Sequence, residues 1–260
     1  WDAIILCSST KSLSKILDVL IMQKKPILVE KPVSIGTNYL KKFNLTYPKF
    51  VNVAFNRRYY NTVSRAKKFI EDSKGQIFCC MKLPETLKKS GNKFHRFDRI
   101  YDNSVHGIDI LRFLFGDLKI IYKTKIRFNN FDSGRVVLLK SKKNHLCNIV
   151  INSNSPDNFS LEIENGLKRF LLRPFEKYEI YHGMKVMQPN KKYPIKSYIP
   201  TIIERDDVFS FLNKNKDLKP GFLEQSQDFL RLINNKKVQR SAKLSDAFEA
   251  QKLLREIMLS

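Results

Sequence analysis

The chain has 260 residues, of which 42% are hydrophobic and 28% charged; that suits one large or two modest domains with a sizeable buried core. No apolar run approaches the roughly 20 residues that a bilayer-crossing helix needs, so a helical membrane protein is excluded and no membrane partner is expected. The formal net charge is +23, but the basic residues are scattered from Lys11 to Lys252 with no stripe interleaved with aromatics, so nucleic acid is not an expected partner either.

Asp2 to Cys7 (DAIILC) predicts a short buried strand. A helix follows from Ser12, because Leu13, Ile16, Leu17 and Leu20 share one face. Pro26 to Val29 predicts a second buried strand, ending at Glu30-Lys31-Pro32. Asn38 to Leu45 predicts another helix, and Phe50 to Phe55 (FVNVAF) a third strand, followed by Asn56-Arg57-Arg58. Continuous apolar strands alternating with helices argue for a parallel sheet with crossover helices.

The pattern then changes. Thr62 to Asp72 predicts a helix, Gln76 to Leu83 a strand, Lys88 to Arg96 a polar loop, and Asp98 to Phe115 a helix stopped by Gly116. From Leu118 to Tyr181 strand candidates alternate with turn signals at Asn129-Asn130, Asp132-Ser133-Gly134, Lys142-Lys143-Asn144 and Asn165-Gly166. That rhythm predicts an antiparallel meander. The apolar residues of VVLL and CNIVI fall on both strand faces, so neither face is expected to be fully wet. Gln188 to Pro200 shows no period, and Phe222 to Ile233 and Leu244 to Met258 predict amphipathic helices. The cysteines are Cys7, Cys79, Cys80 and Cys147. Their spacing matches neither a disulfide framework nor a zinc site, so we expect reduced, buried thiols, no metal, and a cytoplasmic protein.

Two constellations carry chemistry. Lys31 of Glu30-Lys31-Pro32 ends a parallel strand, the edge where ligands bind in open α/β sheets. A lysine there can hold a substrate hydroxyl or a developing alkoxide. Asp102 and His106 stand four apart on a predicted helix and share a face, with Asp109 three further on. A carboxylate beside an imidazole suits a general acid/base near neutral pH.

In combination these stretches are much more specific. DAIILCSSTKSLSKILDVLIMQKKPILVEKPV resembles the strand, helix and strand that end in the Glu-Lys-Pro motif of Gfo/Idh/MocA oxidoreductases. VNVAFNRRYYN resembles that family's next strand, whose arginine falls at Arg58, and IEDSKGQI resembles the entry to its second domain. DNSVHGIDILRFLFGD resembles the family's Asp-x-x-x-His helix, and PGFLEQSQDFL and LSDAFEAQKLLREI its two closing helices.

The resemblance implies the C-terminal half of a Rossmann domain over residues 1–58. An α+β domain with a large, mostly antiparallel open-faced sheet would follow over 59–260, binding substrate and forming a homo-oligomer. It implies hydride transfer between NAD or NADP and a sugar, cyclitol or nucleotide sugar. Lys31, Asp102 and His106 would be catalytic; Ser8, Ser9, Glu30, Lys31 and Pro32 would contact the cofactor, and Arg58 and Asp109 the substrate. Cofactor-assisted glycoside cleavage and a non-catalytic binding role on the same scaffold are the alternatives. The family's first strand and glycine-rich turn have no counterpart here, and no G-x-G-x-x-G occurs. The expectation is therefore a piece of such an enzyme, binding cofactor weakly by itself.

Overall fold

The computed structural model describes residues 1–43, 46–85, 103–128, 131–153, 155–208, 219–238 and 240–259. The first segment holds β1 (Ile4–Leu6), α1 (Thr10–Ile21), β2 (Ile27–Val29), α2 (Asn38–Lys41) and β3 (Val51–Val53). A 3-10 turn over Asn56–Tyr59 leads into α3 (Asn61–Glu71) and β4 (Phe78–Glu85). Next come α4 (Val105–Phe115), β5 (Leu118–Phe128), β6 (Phe131–Ser141), β7 (Leu146–Ser153), β8 (Ser160–Glu164), β9 (Lys168–Leu172), β10 (Lys177–Met187) and β11 (Ser197–Asp207). The chain closes with α5 (Phe222–Ile233), β12 (Ala242–Lys243) and α6 (Leu244–Met258).

β1, β2 and β3 run parallel, with Ile4 opposite Ile27 and Ile27 opposite Val51. The crossover helices between them make that arrangement favourable. Helix α1 buries Leu13 and Leu17, two of the residues that predicted it. The chain then returns from far away: β12 adds antiparallel to β3, pairing Ala242 with Val53. The small sheet therefore has the order β1-β2-β3-β12 and draws on both ends of the sequence.

The large sheet has the order β11-β10-β9-β8-β4-β7-β6-β5. Every pairing in it is antiparallel except that of β4 with β7. β7 alternates strictly between buried and half-buried residues, so one face packs on helices and the other stays open. All four cysteines are free thiols, but only Cys79, on the covered face of β4, and Cys147 are buried as expected; Cys80, on the other face, is partly exposed, and Cys7, just past β1, is exposed. A single core runs from Leu6 and Val53 through Leu111 and Leu254 to Ile149 and Phe170, joining both sheets. Helix α4 is buried on nearly every side: apolar residues make up most of it, and His106 and Asp109 are buried with them. A Cβ on Gly107 would stand 2.3 Å from Leu83 Cδ2, so the missing side chain is what lets α4 lie close on β4.

Several expectations are corrected. Asp132-Ser133-Gly134 is no turn but part of β6. Gly134 lies where Ile151 O of β7 approaches to 1.8 Å of a would-be Cβ, so its glycine marks a close backbone contact within the sheet. The sheet continues past Tyr181: β10 runs on to Met187, and β11 starts at Ser197, inside the stretch that showed no period, and extends beyond it. Helix α2 is a single turn that ends at Lys41, and the expected helix end at Leu45 lies outside the described residues. The Asn165-Gly166 signal does join β8 to β9: Asn165 Oδ1 accepts from the Leu167 and Lys168 amides, and Gly166 has φ +84°. The expected polar loop Lys88 to Arg96 and the start of the helix at Asp98 lie outside the described residues.

Candidate functional site

The carboxyl ends of β1, β2 and β3 carry Cys7-Ser8-Ser9, Glu30-Lys31-Pro32 and Ala54-Phe55-Asn56 along one edge of the small sheet. Ser9 stands at the start of α1, where its carbonyl accepts from the Ser12 and Leu13 amides. The Ser8 and Ser9 hydroxyls each bond the Ser12 hydroxyl, at 2.6 and 2.9 Å. Glu30 is held by its amide on the Leu6 carbonyl at 3.0 Å, and its carboxylate accepts from the Lys31 amide. The Lys31-Pro32 peptide is cis.

α4 brings His106 to this edge. Its imidazole meets the Phe55 ring edge-to-face at 5.7 Å and is buried, with Nδ1 lacking a hydrogen-bond partner. Burial pushes the His106 pKa well below 6.5, and the nearby Arg57 and Lys31 charges push it the same way. The ring is thus neutral at neutral pH. Asp102 lies outside the described residues.

Sequence reasoning chose Arg58 as the substrate arginine. The structure instead locks Arg58 to Asp109 in a two-pronged buried pair (Nε–Oδ2 2.8 Å, Nη2–Oδ1 2.5 Å). Burial opposes the Arg58 charge, but Asp109, with Asp246 and Tyr59 adding to it, offsets that effect and the guanidinium pKa rises. The pair ties the 3-10 turn to α4, and two further bonds fix the same stretch. Tyr59 donates to Asp228 at 2.9 Å, and the Thr62 hydroxyl to the Phe175 carbonyl at 2.7 Å.

Arg57 is held differently. It lies over the Phe159 ring at 4.6 Å, and its Nη1 is buried with no hydrogen-bond partner. Burial lowers its pKa; Tyr60, Glu176 and Glu85 act in the opposite direction. It borders a cavity of about 250 Å³ lined also by Asn103, Asp157, Phe159 and Glu176. At the end of β4, buried Glu85 accepts from the Ser104 hydroxyl and, at 3.3 Å, from the Asn103 side-chain Nδ2, just before α4 begins. Neither Arg57 nor Glu85 was singled out in the sequence. Nothing in an Arg-Arg pair says which side chain turns inward, and Glu85 ends its strand without a motif. Among the described residues no group of His, Cys, Asp and Glu forms a metal site, and no helix is long and apolar enough to cross a membrane.

No protein-family model and no curated protein sequence matches the chain. Solved structures do. A dehydrogenase from Clostridium difficile superposes with a TM-score of 0.70 at 21% identity, covering 99% of this chain and 78% of its own. The UDP-N-acetylglucosamine 3-dehydrogenase of Acidithiobacillus ferrooxidans gives 0.67 at 12% identity, over 98% and 77%. Levoglucosan dehydrogenase in complex with NADH and L-sorbose gives 0.68 at 15% identity, over 98% and 76%. The chain has the fold of these dehydrogenases: Rossmann-type parallel strands joined to a large open sheet.

Proposed function

We propose that the chain acts as a nicotinamide-dependent oxidoreductase of the Gfo/Idh/MocA type, moving a hydride between NAD or NADP and a sugar, cyclitol or nucleotide sugar. The observation that carries this reading is the buried His106, whose Nδ1 lacks a partner beside the charges of Lys31 and Arg57. A buried polar nitrogen without a partner costs about 1–3 kcal/mol, which a ligand oxygen would recover. Arg57 Nη1 is orphaned in the same way. Two unpartnered donors or acceptors at the carboxyl edge of parallel strands fit a hydroxylated ligand.

In this reading Ser8, Ser9, Glu30, Lys31 and Pro32 hold the nicotinamide end of the cofactor. That group, when bound, supplies the hydride acceptor or donor. Lys31 holds the substrate oxygen by a charge-assisted hydrogen bond and steadies negative charge on it. His106, kept neutral by burial, takes the hydroxyl proton at Nδ1 in oxidation and returns it in reduction. Asp102 keeps its sequence-based role of orienting the imidazole. Arg57 meets the substrate, the part first given to Arg58 and Asp109. The open face of the large sheet, with half-buried Val136, Leu138, Val150 and Leu146, pairs with a second copy.

The test is to mix the protein with NAD+ or NADP+, at concentrations high enough to load the weak cofactor site expected of this chain, and with a panel of sugars, cyclitols and nucleotide sugars. Reduced nicotinamide is followed by absorbance, with ligand-induced thermal shifts read in parallel. We expect turnover with one class and its loss in His106→Asn. If no member turns over or shifts the melting temperature, the oxidoreductase reading is wrong.

A further inference from the structure

We propose that the cleft between β5 and the carboxyl end of α6 binds a small molecule carrying a chain of two or more phosphate groups. Lys123, Lys125 and Arg127 alternate along β5, so their side chains leave the strand on one face. The ladder identifies that face. Lys123 stands opposite Val137 and Lys125 opposite Arg135, both buried on the side that the helices cover. Lys123 Nζ donates to the Glu256 and Leu259 carbonyls at 2.7 and 2.5 Å, which sets the end of α6 across from the strand. The four cations, with Thr124 and Leu259, line a cavity of about 670 Å³. Small-molecule sites have that size.

Charge selects the occupant. Four of the six lining residues are cationic, against 48 of 260 in the whole chain, so the site exceeds the chain's general basicity. Two of the four are already engaged. Arg135 is buried and donates to Asp132 Oδ1 at 2.5 Å and to the Met258 carbonyl at 2.9 Å, and Lys123 holds the α6 carbonyls. Asp132 answers one positive charge, and the lining residues bring no carboxylate of their own. Lys125 and Arg127 are exposed, and among the described residues neither makes a hydrogen bond or ion pair. Lys125 also sits directly opposite Arg135, a like-charge pair that destabilises a ladder. An anion between them would turn that repulsion into attraction.

Spacing selects the shape. From Lys123 to Arg127 the strand covers about 13 Å, at roughly 3.3 Å per residue. A lone phosphate meets one or two of these groups, whereas a di- or triphosphate chain meets them in succession. Arginine offers phosphate oxygens a planar fork and lysine a point charge. A second copy is not the occupant. The face given to pairing carries Val136 and Leu138, which alternate with buried Val137 and point away from this cleft. Two copies set cleft to cleft would oppose like charges. The cleft shares no residue with the edge that carries Lys31 and His106, so its test is independent of the oxidoreductase reading.

Isothermal titration of the full chain with tripolyphosphate, ATP and orthophosphate, at one ionic strength, tests the proposal. Tripolyphosphate and ATP should bind at least about tenfold more tightly than orthophosphate. Tighter binding of ATP assigns the site to a nucleotide, and the reverse order to a free polyphosphate; both support it. Lys125→Gln/Arg127→Gln removes two cations that hold nothing else. It should bind tripolyphosphate at least about tenfold more weakly and melt no lower than wild type, because the like-charge pair is relieved. Lys15→Gln/Lys25→Gln makes the same charge change at exposed positions near α1 and should stay within a few fold of wild type. The proposal is overturned if wild type binds the phosphate chains no better than orthophosphate. It is also overturned if both double variants lose binding equally, which would assign it to diffuse charge.

Discussion

Arg58 and Asp109, 51 positions apart in sequence, neutralise each other inside the protein through two parallel N–H···O bonds of 2.8 and 2.5 Å. Arg58→Leu leaves a buried carboxylate alone and should destabilise the fold by about 3–5 kcal/mol. The double variant Arg58→Leu/Asp109→Leu should recover most of that loss, because replacing both partners of a buried pair by apolar groups is often near neutral. Urea denaturation of the four proteins in the cycle measures the coupling. Additive losses would mean that the two side chains act independently, as two substrate contacts would.

His106 links stability to pH. Its folded pKa lies well below the ordinary 6.5 because the ring is buried, with Arg57 and Lys31 adding to the effect. In the unfolded chain it titrates at the ordinary value. As pH falls through 6.5 the unfolded state therefore binds a proton that the folded state refuses, and stability declines. Above 6.5 the group adds no slope. Denaturation midpoints across a pH series should show wild type losing stability relative to His106→Asn only on the acid side. A constant difference across the series would contradict a buried neutral imidazole.

Gly107 is confined by its neighbours. A Cβ there would stand 2.3 Å from Leu83 Cδ2 and 3.1 Å from Met81 Sδ. Gly107→Ala should cost about 1–3 kcal/mol despite alanine's better helix propensity, because overpacking outweighs the backbone gain. Gly75, with nothing within 4 Å but φ +84°, provides a contrast in which strain rather than space is limiting. A thermal melt of Gly107→Ala at or above the wild-type midpoint would show that α4 has room to move off β4.

Under the proposed chemistry, His106→Ala should lower turnover by roughly 10²–10⁴ while leaving substrate and cofactor affinity close to wild type. Lys31→Met should lower turnover and weaken substrate binding together, since the ammonium touches the oxygen in both states. Arg57→Lys keeps the charge but loses the planar fork, and should raise KM more than it lowers kcat. Steady-state kinetics on the first active substrate separates these patterns. Nearly intact turnover in His106→Ala would move the acid/base role elsewhere.

For the open sheet face, Leu138→Asp and Val150→Asp should convert a dimer to monomer without unfolding it, as read by sedimentation at micromolar concentration. Wild type that already sediments as a monomer would refute the pairing.

Local pattern determined much of this protein. Three short apolar runs spaced by helix-length segments can bury themselves only as parallel strands, and β1, β2 and β3 do so. The spacing of Leu13 and Leu17 settled the buried face of α1, and Asn165-Gly166 settled a turn, because these signals act over a few residues. Lys31 and His106 were singled out from the resemblance that their neighbours in sequence carry, and what the structure adds is that the Lys31 charge is felt at the buried His106 ring. Three features were decided only in the tertiary structure. β4 lies parallel to β7 across the intervening helix and hairpins, and β12 returns to β3 from nearly 190 residues away (Ala242 beside Val53). Such pairings are chosen by which strands the whole core leaves unpaired, and no local period encodes that. Likewise Asp132-Ser133-Gly134 has turn composition, yet Gly134 is needed inside β6 for close approach to Ile151. Most plainly, Arg57 and Arg58 are the same residue type side by side. Asp109, arriving on α4, claims Arg58 as its buried counter-ion, while Arg57 lies over the Phe159 ring with an unpartnered nitrogen.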